Sequence, residues 1–104
     1  MIDANALPKY IEIGFTGEKD FREVEFDFTG WGEGTPAIWY VKPYDTVAYK
    51  PPVTIDGSIV TWLVRDEDLG SSGGTGRIQL EIKSESKTRK SAIFDVRVNP
   101  GIMR

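Results

Sequence analysis

The chain alternates apolar and polar residues with a period of two, in short runs cut by turn signals. Period-two runs of five to eight residues are strands, and a chain built of them must bury one face of each. In Tyr10–Phe15, Ile11, Ile13 and Phe15 share one face. In Phe21–Phe28, Val24, Phe26 and Phe28 point one way while Glu23, Glu25 and Asp27 point the other. Three acids on one face meet water, because burying them unpaired is too costly. Ser58–Arg65 places Val60, Trp62 and Val64 together. Arg77–Lys83 places Ile78, Leu80 and Ile82 inward, and Ser91–Val98 does so with Ala92, Phe94, Val96 and Val98. No apolar stripe of helical period runs any useful length, so helical folds are disfavoured.

The remaining segments fit the same pattern. Ala37–Lys42 is apolar on both parities, with Ile38 and Tyr40 on one side and Ala37, Trp39 and Val41 on the other. Such a strand is expected to be central or covered on both faces. Thr46–Tyr49 and Val53–Ile55 are short and separated by Lys50-Pro51-Pro52, which suits a sheet edge because proline donates no ladder hydrogen bond. Asp56-Gly57 is a two-residue hairpin signal. Asp66–Leu69 can form one helical turn, with Asp66 a candidate N-cap. Gly70–Gly76 reads as a flexible connection, and Ser84–Thr88 as a polar tip.

Seven or eight strands in 104 residues, with turns every ~8–12 residues, suit an all-β, immunoglobulin-like antiparallel β-sandwich. A small closed barrel is the alternative. One domain is expected over residues 9–99, with 1–8 a flexible leader and 100–104 an exit.

Composition then removes whole chemistries. The sequence has no His and no Cys. Disulfides, thiol nucleophiles, thiolate zinc sites and imidazole bases are therefore absent. No Ser-His-Asp set can be assembled. The net charge of −3 argues against nucleic acid as a partner, since phosphate binders carry a basic excess. No apolar run approaches the ~20 residues of a membrane span, and the N-terminus lacks the basic and apolar regions of a signal peptide.

The charge is uneven. Residues 1–56 hold ten acids and five bases, and residues 57–104 hold six acids and eight bases. Lys87, Arg89 and Lys90 form a local basic spot, read as a solvated hairpin tip with an anion-binding patch as the sharper alternative. Gly70–Gly76 lacks the Gly-Lys-Ser/Thr ending of a phosphate loop. Asp66-Glu67-Asp68 offers oxygen ligands for Ca²⁺, but not at EF-hand spacing, and reads as an acid-rich turn. No catalytic residue, metal site or cofactor is expected.

The aromatics are the better signal. Trp62 fits a core filler between sheets, and Trp39 sits on the two-sided strand. Trp31 lies between two glycines in Thr29–Pro36. It is either an exposed contact residue or a lid folded over the core. Trp31, Pro51 and Pro52 are the candidate docking or ligand contacts. A carbohydrate-binding module using Trp31, Trp39, Tyr40, Tyr44 and Tyr49 is the alternative to protein docking.

A longer pattern joins these pieces: Trp62 after a hairpin, an acid-rich segment ending in Leu69, Gly74-Thr-Gly76 running into Gln79-Leu80, then Lys90-Ser91 before Phe94 and Val96. It resembles the immunoglobulin-like N-terminal domain of bacteriophage tail and baseplate proteins of Gram-positive hosts, of the baseplate upper protein type. The likeness covers about three quarters of the chain. It implies a virion location, production in a bacterial cytoplasm, other phage particle proteins as partners, self-association through the symmetry of tails, and host-surface glycan as a further contact.

Overall fold

The structure, a computed structural model, describes residues 1–18, 22–70 and 73–100. Nine strands occur among these residues: β1 (Ile2–Asp3), β2 (Tyr10–Phe15), β3 (Glu23–Asp27), β4 (Thr35–Val41), β5 (Val53–Asp56), β6 (Ile59–Leu63), β7 (Gly74–Lys83), β8 (Thr88–Lys90) and β9 (Phe94–Asn99). One helical turn, α1 (Asp66–Leu69), separates β6 from β7.

The strands form two sheets. One has the order β1-β3-β6-β5, and the other β2-β9-β7-β4 with β8 added to the side of β7. With β3, β6 and β5 as strands B, E and D, and β4, β7 and β9 as C, F and G, this is the immunoglobulin order. Two pairings are parallel rather than antiparallel, β1 with β3 and β2 with β9.

The period-two reading holds in the core. Phe26, Val60, Trp62, Tyr40, Ile13, Leu80 and Val96 have no more than a trace of exposed surface. The Tyr40 and Trp62 rings meet with centroids 5.0 Å apart at the centre. Full burial of such side chains contributes about 1.5–3 kcal/mol each. Gly76 lets β7 pass this centre closely, since a Cβ there would lie 2.3 Å from the Val41 carbonyl oxygen.

Several expectations change. Residues 1–8 are not a free leader: Ile2 pairs with Phe26, Ala4 N–H donates to the Asp27 carbonyl at 2.9 Å, and Asn5 Nδ2 donates to the Thr29 carbonyl at 2.7 Å. Their backbone groups gain more from the free side of β3 than the polar sequence suggests. Strand β4 is not central, because it pairs with β7 along one side and meets only Tyr49 on the other. Thr46–Tyr49 contributes that single bridge and no strand. The expected strand Ser91–Val98 begins later than expected, at Phe94 as β9, while residues 91–93 break away and a short strand not expected from the sequence, Thr88–Lys90, pairs with the end of β7. Ser91 causes the break. Its Oγ accepts the Leu80 N–H at 2.9 Å and donates to the Ala92 carbonyl at 2.8 Å, replacing ladder bonds.

The hairpin at Asp56-Gly57 forms with Asp56 opposite Ile59, so Gly57 (φ 62°) and Ser58 make the turn. Phe21, and parts of the expected turns over 16–20, 70–76 and 99–101, lie outside the described residues. Among the described residues no helix is long and apolar enough to cross a membrane.

Candidate functional site

A buried polar cluster holds the two sheets to α1. Asp68 is fully buried. Its Oδ2 accepts the Arg65 backbone N–H at 2.9 Å, Trp62 Nε1 at 3.2 Å and Arg65 Nε at 3.2 Å. Its Oδ1 accepts an Arg65 terminal nitrogen at 3.0 Å and the Tyr49 hydroxyl. The Tyr40 hydroxyl donates to the Asp68 carbonyl at 2.8 Å. Burial would raise the Asp68 pKa, but the donors from Arg65, Tyr49 and Trp62 outweigh it and hold the carboxyl below its ordinary value. Burial, with the neighbouring Asp68 charge, pushes both Tyr40 and Tyr49 above the ordinary phenol range.

Arg65, not Asp66, is the N-cap residue of α1. Asp66 and Glu67 face water while Asp68 turns inward, so the acid triplet does not converge. No group of three or more Asp or Glu among the described residues is placed to hold a metal ion. Every donor and acceptor of Asp68 is matched within the fold, which makes the cluster a structural tie.

Trp31 folds back as a lid. It is 7 % exposed, and its ring meets Phe28 edge-on at 5.0 Å. The Arg89 guanidinium lies 4.5 Å from the Trp31 ring centroid. This places Arg89 of the basic spot against the glycine-rich loop. An open depression of about 880 Å³ runs between them, lined by Glu33, Ser84, Ser86 and Lys87 among others. Trp31 Nε1 is buried without a hydrogen-bond partner among the described residues. Pro51 is buried and Pro52 exposed, in the segment that carries the chain from Tyr49 to β5. Trp31 lies past the end of β3 where Asp27 faces Ile59, whereas β5 begins where Val53 faces Trp62. The two proline positions and Trp31 are therefore at opposite ends of the four-stranded sheet and do not form one site.

A different surface gathers apolar groups. On the outer side of β4 and β7, Trp39 and Val41 are half-buried, and Ile93 is 61 % exposed. With Ala48, Arg77 and Gln79 they line a shallow depression of about 230 Å³. Trp39 is fixed there: its Nε1 donates to Glu81 Oε2 at 3.2 Å, and Lys50 Nζ sits 4.9 Å from its ring centroid. Gln79 Nε2 donates to the Ser91 carbonyl at 2.8 Å, which anchors the segment that presents Ile93.

Sequence reading found half of this surface through the two-sided character of β4. It did not single out Ile93, although alternation with Ala92 and Phe94 inward already points that residue outward, because an apolar residue on an outward position carries no mark of a neighbouring Trp39. No protein-family model matches the sequence, and no curated protein matches it closely enough to count as a relative.

Proposed function

We propose that this protein is a non-enzymatic docking module of a bacteriophage or prophage tail or baseplate. The observation that carries the docking reading is the fixed apolar depression around Trp39, Val41 and Ile93 on the outer side of a rigid sheet. Exposed apolar groups of this kind, rimmed by Lys50, Arg77 and Gln79, suit a protein partner. The particle assignment rests on the residue pattern from Trp62 to Val96. Its members hold structural posts: Trp62 and Leu69 fill the core, Gly76 permits a close backbone approach, and Gln79 and Leu80 each donate to Ser91.

A sugar-binding reading has weaker support. It needs a flat exposed aromatic row, whereas of its five aromatics Tyr40 and Trp31 are buried, Trp39 and Tyr49 are half-buried, and Tyr44 alone stands exposed. Negative-stain imaging of particles from a producing host, labelled with antibody to this protein, tests the proposal. Label at the tail is the expected result. Particles that consistently lack it remove the assignment.

A further inference from the structure

The connection from β3 to β4 meets the hairpin from β7 to β8 at one end of the sandwich. Trp31, Glu33, Ser86, Lys87, Thr88 and Arg89 are among the residues lining the open depression of about 880 Å³ between them. Both walls are held in place. The Trp31 backbone N–H donates to the Phe28 carbonyl at 3.0 Å, and its ring packs edge-on against Phe28. Gly34 (φ 144°) presses the connection onto β7, since a Cβ there would lie 2.9 Å from the Lys83 carbonyl oxygen. The hairpin is closed by the Ser84 N–H, which donates to the Lys87 carbonyl at 2.8 Å.

This lining is rich in donors that the fold leaves unspent. Among the described residues, neither Lys87 nor Arg89 enters an ion pair. The Arg89 guanidinium rests on the Trp31 ring, 4.5 Å from its centroid, and its N–H groups have no acceptor among the described residues. The Ser86 and Thr88 hydroxyls have no partner there either. Trp31 Nε1 belongs to a side chain 7 % exposed and also lacks an acceptor among the described residues. An unpaired buried donor is rare in a native fold and calls for a partner. Glu33 is the one acid of the lining, and it pairs with neither cation; Glu85 of the same hairpin stands outside the lining.

We infer that this depression binds a phosphate group, with Lys87 and Arg89 as its anchors. A carboxylate brings two oxygens and one charge. A phosphate monoester brings three oxygens and nearly two charges, which match two cations flanked by hydroxyls. Arg89 suits this task because its fork is oriented before the ligand arrives: stacking on the indole limits the freedom it has left to lose. The depression exceeds the room a bare anion needs and lies within the about 300–1,000 Å³ of small-molecule sites, so the phosphate can arrive on a carrier. The Glu33 carboxylate is an acceptor for a carrier hydroxyl, which favours a sugar phosphate. The net charge of −3 disfavours a polyanionic strand in the same place. Lys87, Arg89 and Trp31 have no part in the depression around Trp39, so the inference stands apart from the docking reading.

Nuclear magnetic resonance of the ¹⁵N-labelled whole chain tests it. Inorganic phosphate, glucose 6-phosphate and glucose are each titrated to about 20 mM at constant ionic strength. The Trp31 indole N–H resonance, identified by its loss in Trp31→Phe, should move with both phosphates. The Trp39 and Trp62 indole resonances should stay, and glucose should move none of the three. Tighter binding of glucose 6-phosphate than of inorganic phosphate supports the carried group as ligand, and equal binding supports the free anion. Lys87→Ala and Arg89→Ala should each weaken phosphate binding about tenfold while keeping the wild-type circular dichroism spectrum. A Trp31 resonance that neither phosphate moves overturns the inference. So does movement that both variants leave unchanged, or that glucose reproduces.

Discussion

The indole Nε1 of Trp62 donates to Oδ2 of Asp68 at 3.2 Å, and neither side chain reaches solvent. The largest core residue of one sheet is thus bonded to the helical turn that leads into the other. A carboxylate at the start of α1 does two jobs: it accepts the Arg65 N–H that caps the turn, and it accepts the only polar atom of the central indole.

Asp68→Ala should be among the most destabilising single changes in the chain. It leaves the Trp62, Tyr49 and Arg65 donors facing a cavity, at a cost of about 3–5 kcal/mol. Urea denaturation should show this directly. Glu67→Ala removes only an exposed partner of Arg65 and should cost less than about 1 kcal/mol.

The pKa of Asp68 is lower folded than unfolded. Its contribution is therefore complete above the unfolded carboxylate value of about 4 and is lost as pH falls through the lower folded value. The urea midpoint should decline below about pH 4. Asp68→Asn should be less stable at neutral pH and show a flatter decline in acid.

Tyr40 and Tyr49 give the opposite limb. Both phenols are raised on folding, so the folded state keeps protons that the unfolded chain releases. Stability is intact below the unfolded phenol value of about 10 and falls as pH rises above it. Tyr49→Phe should make this alkaline fall shallower, measured by circular dichroism against pH.

Trp31→Ala empties the lid and should cost about 3–5 kcal/mol. Trp31→Phe should cost less than half as much, because the buried Nε1 it removes has no partner to lose. If Trp31→Phe proves as damaging as Trp31→Ala, then Nε1 has a partner in solution. Arg89→Ala should cost about 0.5–1 kcal/mol through the lost stacking on the indole.

Gly76→Ala forces a methyl against the Val41 carbonyl oxygen and the Tyr40 ring. The strand pair β4–β7 has backbone on that side, which cannot move aside as a flexible side chain would. A loss of at least about 1–3 kcal/mol is expected in thermal or urea unfolding.

Much of this architecture was legible in the residue pattern. Alternation at Phe26/Phe28, Val60/Trp62/Val64 and Ile78/Leu80/Ile82 named core residues correctly, with Val24 packed half-buried against them, because strand geometry sends alternate side chains to opposite faces whatever the neighbours are. The candidate surface was only half legible. Trp39 and Val41 stood out as surplus apolar residues, but Pro51, Pro52 and Trp31 proved to lie at two ends of one sheet, with Pro51 and Trp31 buried. A Trp between glycines carries no mark that separates a platform from a lid. That depends on whether Phe28 and Arg89 are there to receive it.

By itself the sequence determined the all-β class, the inward face of most strands, and the absence of thiol and imidazole chemistry. Those follow from local period and side-chain inventory. Tertiary structure decided which strands became neighbours, that residues 2–3 would join a sheet, and that Ser91 would hold the chain out of the ladder before the last strand. These depend on pairing partners distant in the chain, which one segment's own alternation cannot specify.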